Sequence, residues 1–424
     1  MNIGAILMLE DASDLDFSTV HCVLESRLPR VRRLRQRLLK TPLGCGRPVW
    51  VDDPDFDLGR HLEAVSTATD QPDDLRGLGD DHQILQIAAE LVCRPLPRDQ
   101  PLWRAYWVSG PGADDRAALL LVMHHAMADG VGGLAVLAAL ADTGDDPDTD
   151  PFPQPWPPLR SVVAAVWRER AAACINALQR LRAAGRGVRE LGFGVRGRAL
   201  AARTSMNQPT GPLRRLATVE LDVAQVLDVA HRRRCTVNDL ALAAVTGAMT
   251  AVLEARGEHP GELVVSIPVS ARRMTTADEL GNQTGVIPLS VPTLTDQDSR
   301  LQHIASMSQA GRAMARGASA GPLGIVFRTL GGLGVFQRFI DHQRLVHTFV
   351  TNVRGPDAAV HFAGHRIGKV IPVAITPGNI GVCFDILSYA GRLVMTVVTD
   401  PDIVREQELL TDLLDDEFAR LLAA

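Results

Sequence analysis

Aromatic residues are scarce in this 424-residue chain, at 4%, and lysine occurs only at Lys40 and Lys369. With so few rings, any core must be built from aliphatic side chains. Those are plentiful: hydrophobic residues make up 46% of the chain and charged residues 22%. That balance suits a globular protein with a sizeable core and excludes wholesale disorder. A strong basic excess is also missing. The net charge of −5 argues against a nucleic-acid binder, which needs a basic surface. No Cys-x-x-Cys pair occurs. The six cysteines stand apart at 22, 45, 93, 174, 235 and 383, so neither a zinc site nor a redox motif is expected, and the thiols should be reduced and buried. No basic-then-apolar leader is visible, and no apolar run of about 18 residues escapes charges and breakers, so neither a signal peptide nor a spanning helix is expected.

What the chain does have is alternation of strand-like and helix-like segments. The apolar runs IGAILMLE, RPVWVDD, PLWRAYWVSG and ALLLVMHH read as strands within residues 1–141. LPRVRRLRQRLLK, HQILQIAAELVCR and LAVLAALAD read as helices between and after them. Five aspartates then crowd residues 142–150, followed by PFPQPWPP at 151–158; such a stretch holds no regular helix or central strand and reads as an exposed linker. A second α/β unit starts near residue 214. Its strands are expected in RRLATVELDV, ELVVSIPVSAR, TGVIPLSV, TFVTNVRGP and GRLVMTVVTD, and its helices in VAQVLDVAHRRRC, TVNDLALAAVTGAMTAVLEARG and EQELLTDLLDDEFARLLAA. Thr236 is the expected N-cap of the longest helix. The resulting partition is a first lobe over 1–141, a linker over 142–213 and a second lobe over 214–424.

Residues 159–203 carry ten arginines against two acids, Glu169 and Glu190, with apolar residues such as Val162, Val166 and Trp167 interleaved. A basic amphipathic helix of this kind fits an anionic membrane surface, and equally a solvated helix packed on its own lobe.

The stretch His124-His125-Ala-Met-Ala-Asp129-Gly130 follows an apolar strand. A neutral imidazole at a strand end is a natural general base near pH 7. Neighbours on a strand point to opposite faces, so only one of the pair can face a given cleft. Asp129 can hold the loop through an arginine, and Gly130 permits a sharp turn or close backbone contact. The blander readings are a core-satisfied pair and a partial metal site; for the latter only Asp129 is at hand, and no metal is expected.

Further blocks stand in order around this motif: Pro101-Leu102-Trp103, Asn238-Asp239, Pro268-Val269-Ser270, Gly281-Asn282 and the Asn352 to Pro356 segment. With HHxxxDG they make nearly the whole chain resemble the bacterial wax ester synthase/diacylglycerol acyltransferase family, within the HHxxxDG acyl-CoA-dependent acyltransferase superfamily. Two departures are visible. Family members carry a segment before the block that MNIGAILMLED resembles, which puts the substrate range in doubt, and Arg354 stands where the family has proline.

The resemblance implies two chloramphenicol-acetyltransferase-like, condensation-domain-like α/β lobes with mixed sheets and an active-site tunnel between them. It implies transfer of a long-chain acyl group from acyl-CoA to diacylglycerol, a fatty alcohol or both, with no cofactor. His125 matches the general base, with His124 and Asp129 shaping the site beside Gly130. Arg272 or Arg273 is the candidate ion-pair partner of Asp129. Asn238 is a donor to the oxyanion or, with Asp239, a helix cap; Trp103 is structural or lines a lipid path; Asn282 belongs to a further site-shaping block. A cytoplasmic enzyme resting peripherally on the inner membrane face or on lipid droplets through 159–203 is the expected setting. Two alternatives stay open: a related acyltransferase acting on a polyketide alcohol or an amine, and a non-catalytic lipid-binding protein of the same fold.

Overall fold

The octapeptide NIGAILML is apolar at every position but its first, so as a strand it must bury both faces. It does. In the computed structural model, which describes residues 1–41, 48–66, 81–109, 117–143, 151–175, 201–270, 284–314 and 334–423, Asn2–Leu9 is strand β1. Leu7 and Leu9 face one apolar cluster, and Ile6 and Met8 the opposite one.

The first half continues with helix α1 (Phe17–Arg27), β2 (Gln36–Leu39), β3 (Val49–Asp52), β4 (Leu62–Ser66), α2 (Asp81–Cys93), β5 (Trp103–Ser109), β6 (Ala117–His124), α3 (Gly130–Leu140) and α4 (Leu159–Ile175). The second half holds β7 (Arg215–Asp222), α5 (Val223–Arg232), α6 (Val237–Ala255), β8 (Glu262–Ser270), β9 (Thr284–Pro292), α7 (Gln297–Met314), α8 (Phe336–Asp341), β10 (Thr348–Arg354), β11 (His361–Phe362), β12 (His365–Ala374), β13 (Val382–Tyr389), β14 (Arg392–Thr399) and α9 (Gln407–Ala423). Two six-stranded mixed sheets result, ordered β11-β12-β1-β6-β5-β4 and β7-β14-β13-β10-β8-β9, with β2 and β3 as a separate ribbon.

The expected partition at residues 141 and 214 does not describe these sheets. Strands β11 and β12 lie late in the chain yet complete the first sheet, β12 pairing antiparallel with β1 from Ile3↔Ala374 onward. The reason is physical: β1 is apolar on both faces and needs a ladder partner on each side, β6 on one and β12 on the other. The same β12 packs across β13 and β14, so the lobes share an apolar cluster that includes Ile6, Val122, Ile371, Cys383 and Val394.

A second difference concerns residues 28–40. The expected helix is instead two short 3-10 turns, Leu28–Arg30 and Arg32–Arg35, followed by β2. Pro29 sits in the first turn, where it cannot continue a regular α-helix from α1. Asp52 of β3 then binds Arg32 and Gln36, and Leu39 pairs with Val49. The Pro-rich strap is anchored on this ribbon. The Gln154 N–H donates to the Asp52 carboxylate and Trp156 Nε1 to the Asp52 carbonyl, each at 2.9 Å. Helix α6 is long and apolar enough to span a bilayer, but 72% of that stretch is buried, as befits the central helix of the second lobe.

Candidate active site at the end of the central strand

Strand β6 runs between β1 and β5 with every residue from Ala117 to Met123 buried. Its last residue is His124, whose backbone N–H donates to the Leu102 carbonyl at 2.8 Å. The next N–H, that of His125, donates to the Met1 carbonyl at 2.9 Å. Neighbouring strands therefore hold both histidine backbones. The chain turns at once, closed by the Met127 N–H on the His124 carbonyl at 2.8 Å. The turn, rather than strand alternation, sets the direction of the His125 ring.

Both rings are half-buried, and their hydrogen bonds separate them. His124 Nδ1 accepts the Ala126 N–H at 3.1 Å, and its Nε2 lies 3.1 Å from the Met1 nitrogen. Burial first, then the positive charges of the Met1 amino group and Arg98, push its pKa down to about 4, so His124 is neutral at pH 7. His125 Nδ1 lies 2.9 Å from the Ala128 carbonyl. A carbonyl only accepts, so that nitrogen carries the proton and Nε2 holds the basic lone pair. Such a ring takes a proton at Nε2 while its other nitrogen stays anchored. Of the two histidines, His125 has the geometry of a general base.

Asp129 is buried and caps α3, accepting the Gly132 N–H at 2.9 Å. The cap ties the motif to a helix start, which accounts for an orienting role. Its proposed partners Arg272 and Arg273 lie outside the described residues, as do Gly281 and Asn282. Gly130 opens α3 and touches the other lobe: a Cβ there would sit 2.8 Å from Val353 Cγ2 on β10. That close approach is the physical demand for glycine.

Trp103 lies on β5 beside the motif, but its ring does not line a path. It is buried, donates Nε1–H to the Leu34 carbonyl at 2.6 Å and stacks on His61 at 4.7 Å. Its role is core packing that holds β5, and hence Leu102, in place. Asp239 is fully buried at the start of α6 in a reciprocal cap: Thr236 N–H donates to its carboxylate at 2.8 Å, and its own N–H donates to Thr236 Oγ1 at 3.2 Å. The capping reading holds for Asp239. Asn238 is half-buried in the same first turn.

Sequence reasoning missed three contributors: the Ala128 carbonyl that selects the tautomer, Val353, and the buried carboxyl of Asp385 on β13. Only the last left a signal, as the one charge inside VCFDILSY.

Known proteins resemble this chain in sequence and in fold. Residues 1–241 match the wax ester synthase/diacylglycerol acyltransferase catalytic domain, and residues 280–422 match the C-terminal domain of the same family. A Mycobacterium tuberculosis protein described as probable diacylglycerol O-acyltransferase is 32% identical over 442 residues, covering 99% of this chain and 91% of that one. The wax ester synthase/diacylglycerol acyltransferase of Marinobacter aquaeolei superposes with a TM-score of 0.67 at 19% identity, over 99% of this chain and 94% of that one. A starter condensation domain of rhizomide synthetase, solved with C8-CoA and Leu-SNAC, gives 0.60 at 18% identity, over 100% and 88%. Two mixed-sheet lobes of the condensation-domain kind, the histidine motif at the end of a central strand and a relative above 30% identity over almost the full length lead to one conclusion: the chain belongs to the wax ester synthase/diacylglycerol acyltransferase family and is an acyltransferase.

Proposed function

We propose that the protein moves a long-chain acyl group from acyl-CoA to the hydroxyl of diacylglycerol or a long-chain alcohol, with His125 as general base. The observation that carries this reading is the Nδ1 contact of His125 with the Ala128 carbonyl. It leaves Nε2 to take the hydroxyl proton as the alcohol oxygen attacks the thioester carbon. A C–O bond forms and the carbonyl becomes an oxyanion. The oxyanion collapses, the C–S bond breaks, and the Nε2 proton passes to the departing thiolate. Ester and free CoA thiol result, with no acyl-enzyme and no cofactor. Asn238 is the candidate donor to the oxyanion, and His124, neutral and half-buried, shapes the site.

The acceptors are lipids, which suggests a peripheral setting on a membrane face or lipid droplet. Helix α4 supports this with exposed Arg160, Arg168 and Trp167, the last 62% exposed. Vesicle flotation checks it: binding should increase with anionic lipid and fall on Arg→Glu changes at 160 and 168.

The decisive experiment is thiol release from palmitoyl-CoA with dioleoylglycerol or hexadecanol. Release should require the acceptor and fall by about 10²–10⁴ in His125→Ala. Equal release from wild type and variant refutes the mechanism, and release that ignores the acceptor indicates a thioesterase.

A further inference from the structure

A polar row crosses the second sheet on the face that meets the first lobe. Thr351, Asp385, Thr396 and Thr218 stand in register, one each on β10, β13, β14 and β7. Directly paired residues share a face. Around it the face is mainly apolar: Cys383, Val394, Val398 and Leu216, each two residues from a member of the row, pack in the inter-lobe cluster, and the charge of Glu220 stands at the β7 edge. Asp385 Oδ1 accepts the Thr351 hydroxyl at 2.6 Å. Asp385 Oδ2 and Thr396 Oγ1 are buried and have no hydrogen-bond partner among the described residues. Two adjacent buried oxygens without partners among the described residues, in a mainly apolar wall between the lobes, can take a polar ligand group. Burial also raises the Asp385 pKa to about 6 against the opposing effect of the Thr351 bond, so near neutral pH a fraction of the carboxyls hold a proton, and in that form the group donates as well as accepts.

The row lies close to the chemistry. Val353, two residues beyond Thr351 on the same strand face, reaches Gly130 of the histidine motif. A plain fatty alcohol has one oxygen, the one that reacts. A diacylglycerol carries ester oxygens a few bonds from its hydroxyl. Only the second kind of acceptor satisfies a hydrogen-bonding group set back from His125.

We propose that Asp385 in its protonated form, oriented by Thr351, donates together with the neighbouring Thr396 hydroxyl to the ester oxygens of the acceptor and so favours an acylglycerol over a plain long-chain alcohol. This rests on the acyl-transfer reading above. A site built to bond an oxygen discriminates against an acceptor that lacks it, because its own polar groups then stay unpaired.

The test compares kcat/KM for dioleoylglycerol and for hexadecanol, with palmitoyl-CoA as donor. Asp385→Leu should lower the ratio of the two about tenfold, chiefly through the KM for dioleoylglycerol. Asp385→Asn should keep most of the preference, since an amide both donates and accepts. Thr396→Val, a smaller change that carries the test if the leucine variant fails to fold, should shift the ratio in the same direction. Equal losses with both acceptors, or an unchanged ratio in all variants, overturn the proposal. Equilibrium binding of the two acceptors to His125→Ala protein, with and without Asp385→Leu, gives a readout free of turnover. Weaker binding of dioleoylglycerol alone supports the row's role. If the wild type transfers to neither acceptor, the acyl-transfer reading fails by itself, and the binding comparison still decides what the row prefers.

Discussion

At the scale of single residues, two sites make a demand that can be measured. Gly130 has no room for a methyl group, because its Cβ would meet Val353 at 2.8 Å. Alanine favours helices, so on propensity alone Gly130→Ala would stabilise α3. The clash should win. The variant should lose about 1–3 kcal/mol in urea unfolding, and Val353→Ala in the same chain should restore most of it. Asp385 makes a prediction with a sign. Its folded pKa of about 6 lies above the ordinary 3.8, so the folded state holds its proton longer than the unfolded chain. Stability is therefore lost as pH rises from about 4 to 6, by up to about 3 kcal/mol. Asp385→Asn removes that loss, so its melting temperature relative to wild type should be higher at pH 8 than at pH 4. His124 acts in the opposite sense. Its folded pKa of about 4 lies below the ordinary 6.5, and stability is lost as pH falls between those values. The two effects are separable because the asparagine variant leaves the acid-side loss in place.

At the scale of elements, most of the secondary structure was legible. Strands β1, β5, β6, β7 and β14 were visible as apolar runs, and α2, α5, α6 and α9 as helical periods. The Thr236 cap was visible too, because a threonine followed three residues later by aspartate is a cap signature. The failure at 28–40 came from a pattern that fits both answers. Leu28, Val31 and Leu34 are spaced by three and fully buried, which suits an amphipathic α-helix or two 3-10 turns. The contact that decides, Asp52 with Arg32 and Gln36, is made by a residue on another strand. The Asn-Asp block can be tested at this scale. Thr236→Ala should cost about 1 kcal/mol, and Asp239→Ala should cost more because it leaves a buried cap undone. If Asp239 only caps α6, activity should track the folded fraction measured by circular dichroism. Lost activity in fully folded Asp239→Ala protein would assign it a role beyond the cap.

At the scale of the whole molecule, one of the chain's two lysines sits where the lobes meet. Lys369 on β12 pairs with Glu220 of β7 at 2.5 Å and with Asp81 at the start of α2. Its side chain is 12% exposed, while the carboxylates are about a third exposed, so solvent screens part of the attraction. Lys369→Met should leave two carboxylates facing each other and cost about 1–2 kcal/mol. Adding Glu220→Gln should recover part of that loss in thermal unfolding. A variant as stable as wild type would show that this ion pair adds nothing to the β1–β12 ladder and the apolar cluster that join the lobes.

The letters alone determined the class of the fold, the order of most elements, the family and the stretch that carries the chemistry. Those depend on local period and short motifs, which a chain displays without folding. They did not show the tautomer of either histidine, and they left open whether Asp239 caps a helix or shapes the site and whether Trp103 is structural or lines a lipid path. Only the tertiary structure decided these points. A tautomer depends on which atom approaches a ring nitrogen, and burial depends on which strand lies alongside. The Ala128 carbonyl, the Leu34 carbonyl and the late strand β12 reach their partners through folding. No spacing in the sequence records those distances, and none shows that Thr351, Asp385 and Thr396 share one row on the wall between the lobes.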